Sequence, residues 1–126
     1  MAAGDVKGDN AIIIKLVAGA AVAKGQVVDM QSDTYFDPSG DAATGKFAVA
    51  IEAAAAAADE FRAVIFGEVE VTATAAAIAK GVIVMAGATG LVVAADTPAT
   101  VSENVGTTME AFASGGTGTI FVGLVN

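Results

Sequence analysis

Apolar residues along this chain fall in short runs with a period of two, broken by small and polar residues. Ile12-Ile13-Ile14-Lys15-Leu16-Val17 is β-branched and lies between Asp9-Asn10 and Ala18-Gly19, the signature of a strand. Phe47, Val49 and Ile51 alternate with Ala48 and Ala50. The longest alternation puts Phe61, Ala63, Ile65, Val69 and Val71 on one face and Arg62, Glu68, Glu70 and Thr72 on the other. Val64 and Phe66 break the polarity of that second face. They are read as exposed apolar positions, candidates for partner contact or self-association, because large side chains on a solvent side need covering.

An internal repeat organises these runs. Ala20-Ala21-Val22-Ala23-Lys24-Gly25-Gln26-Val27-Val28 returns as Ala76-Ala77-Ile78-Ala79-Lys80-Gly81-Val82-Ile83-Val84, from position 20 to position 76. Val49-Ala50-Ile51-Glu52-Ala53 has a looser echo in Thr107-Thr108-Met109-Glu110-Ala111. Ala63-Val64-Ile65-Phe66-Gly67 has one in Ile120-Phe121-Val122-Gly123-Leu124. Each Ala-Lys-Gly turn supplies a residue, Gly25 or Gly81, that can take a positive φ before the next strand. The alanine run Ala53–Ala58 is the one serious helix candidate. Its counterpart, Ala113-Ser114-Gly115-Gly116-Thr117-Gly118, is a turn that no helix would choose, so a connection with at most short helical turns is expected. The predicted fold is all-β, a small sandwich or barrel built from two tandem β-units, about 11–70 and 71–126. Residues 1–10, rich in Gly and Asp, are expected to form a flexible arm that orders on a partner, with Asp5, Val6 and Lys7 as candidate contacts.

Composition narrows the chemistry. The chain has 126 residues and neither Cys nor His, which removes thiolate nucleophiles, Ser-His-Asp triads and zinc sites of Cys or His. A net charge of −8, with the six basic residues scattered, argues against nucleic-acid binding, which depends on clustered Lys and Arg. The N-terminus has no apolar signal region, and the apolar stretch Gly81–Ala95 is too short and Gly-broken to span a bilayer. No membrane partner, cofactor or enzymatic activity is expected.

Four motifs each have a simpler reading. Gly40-Asp41-Ala42-Ala43-Thr44-Gly45-Lys46-Phe47 approaches a phosphate-binding loop, but Phe47 stands where a hydroxyl should hold magnesium, and a strand pattern follows instead of a helix. It reads as a Gly-rich hairpin loop. Asp29, Asp33, Asp37 and Asp41 recur every fourth residue without calcium-loop spacing, and read as a solvated acidic loop with at most a weak cation site. Glu68 and Glu70 share a strand face, which suggests a solvent-exposed edge more than an acid–base pair. Lys24 and Lys80 precede turn glycines and are expected in solvent.

Two resemblances remain. Ala20–Val28 resembles the Gly-turn strands of biotinyl and lipoyl carrier domains, the alternative reading, although Lys24, Lys46 and Lys80 all lack the flanking residues that a modified lysine has there. The chain as a whole, from about Ala11 to the C-terminus, resembles the small phage capsid cement (decoration) proteins. The resemblance rests on the order and spacing of A-x-A-K-G-x-V-V, V-A-I-E-A-A-A-A, F-R-A-V-I-F-G-E-V-E-V, the second K-G-V-I-V and the closing T-I-F-V-G-L-V-N. It implies a non-enzymatic protein on the outer surface of the virion capsid that binds the major capsid protein and stabilises contacts between its subunits. It also implies self-association, as a homotrimer at three-fold lattice positions or a dimer at two-folds.

Overall fold

A computed structural model describes residues 2–32, 35–38, 47–94 and 104–123. The described residues form nine strands: β1 (Val6–Ala18), β2 (Val27–Ser32), β3 (Tyr35–Pro38), β4 (Phe47–Ala50), β5 (Glu60–Thr72), β6 (Ile83–Ala86), β7 (Val92–Ala94), β8 (Asn104–Thr108) and β9 (Thr117–Val122). The one helical element among them is a 3-10 turn at Ala88–Gly90. The all-β expectation holds. The alanine run is a connection, with Ala54 bridging to Val22.

The strands follow the order β1-β3-β2-β4-β5-β9-β8-β6-β7, and β1 also pairs with β5. The first five strands therefore close a circuit, β1-β3-β2-β4-β5 and back to β1. The second circuit runs β5-β9-β8-β6-β7 and is closed by a parallel bridge from Ala73 to Val92. The two circuits share β5 and repeat the same registers. Val27 faces Val49 and Val28 faces Ala48 in the first, as Ile83 faces Thr107 and Val84 faces Gly106 in the second. Lys15 faces Arg62 and Leu16 faces Phe61 in the first, as Glu70 faces Thr119 and Val71 faces Gly118 in the second. The parallel contact of Val17 and Ala18 with β3 corresponds to that of Ala73 with Val92. Gly25 (φ 93°) and Gly81 (φ 77°) both adopt the left-handed backbone that the Ala-Lys-Gly turns require.

Burial follows the two circuits. One core cluster gathers Leu16, Ala18, Val28, Ala48, Phe61 and Ala63 inside the first circuit. The larger one gathers Val71, Ile78, Val84, Val92, Phe112 and Ile120 inside the second and spreads to Val27, Val49 and Val64 of the first. Apolar burial of this kind is the main favourable term in folding. The alternation of the first circuit is thus inward on both sides of β4 and β5, because the second circuit packs against its outer wall.

Several expectations are corrected here. Val64 is fully buried in the larger cluster, not exposed. Residues 6–10 belong to β1, so the boundary expected after residue 10 falls inside a strand. Gly4 N donates to Glu70 O at 2.7 Å, Glu70 N donates to Asp5 O at 3.0 Å, and Val6 packs against the larger core cluster. Apolar Val6 and these backbone bonds hold the segment to β5. Asp29 is buried within β2, opposite Asp37 of β3, and is not part of a solvated loop. Asp33 and Asp41 lie outside the described residues, as does the phosphate-loop-like segment up to Lys46. Among the described residues no group of three or more acidic side chains is placed to hold a metal ion.

Candidate functional site

The exposed apolar surface lies where β1, β5 and β9 run side by side. Ile12 faces Phe66 across the β1–β5 ladder, and the two are 51% and 38% exposed. Phe66 meets Phe121 of β9 edge to face, with ring centroids 5.1 Å apart and planes at 87°. Such a T-shaped pair adds about 0.5–1.5 kcal/mol beyond area burial and fixes both rings as one apolar surface. Phe66 is thus exposed as the sequence suggests. Ile12 and Phe121 were missed. Three consecutive isoleucines at 12–14 were the available signal, since a strand with one buried face cannot hide all three.

Beside this patch, the two halves of the molecule carry equivalent polar clusters. In the second half Glu70 is almost wholly buried, in contrast to the solvent-facing edge expected of it. Thr119 Oγ1 donates to Glu70 Oε1 at 2.7 Å, and Lys7 Nζ lies 3.2 Å from Thr119 Oγ1 and 3.6 Å from Glu70 Oε1. Glu110 Oε2 accepts from Thr119 N at 2.9 Å. Hydrogen bonding from Thr119, side chain first and backbone second, holds the Glu110 carboxyl below the usual glutamate range, with the nearby Lys7 charge assisting. A buried carboxylate needs such partners, because an unpaired charge in this setting is costly.

In the first half the corresponding positions are Lys15, Arg62 and Glu52. Glu52 Oε1 accepts from Arg62 N at 3.0 Å, and Glu52 Oε2 pairs with Arg62 Nε at 3.0 Å. The Arg62 backbone N–H, then its guanidinium, lower the Glu52 pKa. Lys15 Nζ lies 3.7 Å from Glu60 Oε1, with both side chains largely in solvent. Together with Phe61 these four residues line an open groove.

The remaining candidate contacts are engaged within the chain. Asp5 Oδ1 accepts from Lys24 Nζ at 2.8 Å, and this bond, followed by one from Ala2 N–H, lowers the Asp5 pKa. Val6 and Lys7 face Val69 and Glu68 of β5. The structure therefore brings Lys7 together with Glu70, and Phe66 together with Ile12. It separates Val64 from both groups.

Among curated proteins none matches this chain. Among solved structures, the head fiber gp8.5 N base of bacteriophage phi29 is similar, with a TM-score of 0.62 at 18% identity. That match covers 92% of this chain and 97% of the phi29 chain, and it shows a shared fold. A family model described as phage cement protein matches residues 6–124, nearly the whole chain. Over that length the match spans both circuits and all nine strands, so the chain belongs to the phage cement protein family and is a structural component of the phage particle.

Proposed function

We propose that this protein decorates the outer face of the phage head, binding the major capsid protein and stabilising contacts between its subunits. The observation that carries the proposal is the cement-family match over residues 6–124. Physical features agree with it. The chain carries a net charge of −8, which disfavours the DNA-facing side of a shell. The Ile12–Phe66–Phe121 patch is an apolar surface of the kind that needs a partner. A ligand that binds the assembled shell but not its separated subunits stabilises the shell by mass action, and many modest contacts on one lattice act together. Self-association through Phe66, as a trimer at three-fold positions, belongs to the same proposal, with a dimer as the alternative.

The test is co-sedimentation of the purified protein with expanded capsid shells from its source phage. Saturation at a fixed ratio to the major capsid protein, with shells more heat-resistant afterwards, is the expected result. Absence of co-pelleting by folded protein overturns the proposal. Phe66→Asp is expected to dissociate the oligomer in sedimentation velocity; an unchanged oligomer rules out the Phe66 face.

A further inference from the structure

In the loops of the internal repeat, exposed residues are kept while buried ones differ. Matching backbone bonds fix the equivalences: Val22 N to Ala54 O and Gly25 N to Ala50 O in the first half, Ile78 N to Phe112 O and Gly81 N to Thr108 O in the second. Ala21, Ala23 and Lys24 are exposed, and so are Ala77, Ala79 and Lys80 at the equivalent positions. Ala53 and Ala111 match in the same way on the facing loops. Between them lie the buried bridges, Val22 with Ala54 and Ile78 with Phe112, in which both members differ.

Folding does not require this pattern. Substitutions at exposed loop positions usually leave stability nearly unchanged, and the Ala-Lys-Gly turns constrain only Gly25 and Gly81, their positive-φ residues. Packing constrains the buried positions instead. Identity kept on the surface and lost in the interior marks these loop faces as what the two halves share.

The two loop pairs sit at opposite ends of β5. Ala18 N donates to Asp59 O and Ala58 N to Ala18 O, which sets the first pair against the start of β5 at Glu60. Ala73 N donates to Gly116 O and Gly115 N to Thr74 O, which sets the second pair past its end at Thr72. β5 has 13 residues, and at about 3.3 Å per residue the two faces stand about 40 Å apart. Each presents alanine methyls beside Lys24 or Lys80, an apolar surface low enough for a partner's larger side chains to lie against.

The geometry points to a two-ended binder: each loop pair holds the same apolar element of one major capsid subunit, so that a single copy bridges two neighbouring subunits. The inference rests on the capsid reading above and adds to it the binding faces and their number. A face repeated within one chain fits a partner that is itself repeated, and a capsid lattice offers the same element at regular spacing. A lone ligand would engage one end and leave the second without use. Joining two modest contacts in one folded chain makes the second intramolecular, with avidity about 10²–10⁴-fold above either alone.

The test compares Ala21→Arg, Ala77→Arg and the double variant with the wild type, by co-sedimentation with expanded shells and by shell heat resistance. Thermal midpoints of the purified proteins check folding, and Ala53→Arg and Ala111→Arg replace any variant that folds poorly. Each single variant keeps one face and is expected to bind about a hundredfold more weakly. Neither is expected to raise shell heat resistance, since one end cannot bridge. The double variant is expected not to co-pellet. A single variant that matches the wild type in both readouts would overturn the two-ended reading alone, as would a double variant that still co-pellets fully. Wild-type protein that does not co-pellet would overturn the capsid reading, and this inference with it.

Discussion

The two halves of this molecule solve one packing problem in opposite ways. Inside the first circuit, Phe61 of β5 fills the space and Ala54 of the facing connection stays small. Inside the second, the strand position equivalent to Phe61 is Gly118, and the aromatic comes from the position equivalent to Ala54, which is Phe112. A Cβ added at Gly118 would sit 2.7–2.9 Å from three atoms of the Phe112 ring, so that ring occupies the space a strand side chain would take. Among the described residues one fully buried ring per circuit is kept, and its point of attachment has moved. Closed cores of this size constrain total volume more strongly than the identity of any one position.

The largest expected effect breaks this arrangement. Phe112→Ala and Phe61→Ala should each destabilise by about 3–5 kcal/mol, read as a lowered denaturation midpoint. That is a large share of the stability of a domain this size. Adding Gly118→Phe to Phe112→Ala rebuilds the first half's arrangement in the second and should recover about 1 kcal/mol or more. If it recovers nothing, the two sites are not interchangeable.

The two equivalent positions Glu70 and Lys15 sharpen the comparison next. Lys7→Met leaves buried Glu70 without its cation and should cost about 1–3 kcal/mol. Lys15→Met at the equivalent exposed position should stay within about 0.5 kcal/mol. Equal costs in urea titration would mean that the Lys7–Glu70 contact contributes nothing to the second half.

The two equivalent glutamates should behave alike. Glu52 and Glu110 are both held below the usual glutamate range, by hydrogen bonds from Arg62 of β5 and Thr119 of β9 respectively. A lowered folded-state pKa contributes stability above the unfolded value and loses it as pH falls through the folded value. Stability should therefore decline on acidification below about pH 4.5, and Glu52→Gln combined with Glu110→Gln should flatten that decline in thermal scans. An unchanged slope would show that other groups govern the acid limb.

The smallest expected effect concerns one turn. Ala58 has φ 74° where its counterpart Gly115 has φ 67°, and a side chain in left-handed backbone is strained. Ala58→Gly should stabilise by about 0.5 kcal/mol, and Gly115→Ala should destabilise by about 1 kcal/mol. Thermal midpoints of the two variants should move in opposite directions.

Much of the architecture could be read from residue order. The nine-residue repeat predicted the two Ala-Lys-Gly turns and their positive φ angles, because a β-turn is a local decision of a few residues. A β-branched run marked β1, the period of two marked β4 and β5, and the absence of Cys and His narrowed the chemistry before any fold was known. The exposure of Phe66 was also visible, as an apolar residue on a polar face.

Val64 obeyed the same local rule and was buried, because the second circuit packs against the outer wall of the first, a contact that no strand pattern encodes. Residues 1–10 looked like a flexible arm, since Gly and Asp are poor strand formers. Val6 and Lys7 instead open β1, with Gly4 and Asp5 bonded alongside Glu70, because β5 has an edge that needs hydrogen-bond partners and Val6 has a core to enter. Glu70 was drawn in with them, and Lys7 followed its charge. Local preference and spacing thus determined where the strands and turns lie. Which strand edges are covered, and therefore which surfaces face a partner, was decided only by long-range closure of the sheet, since hydrogen-bond satisfaction and burial depend on what the rest of the chain brings alongside.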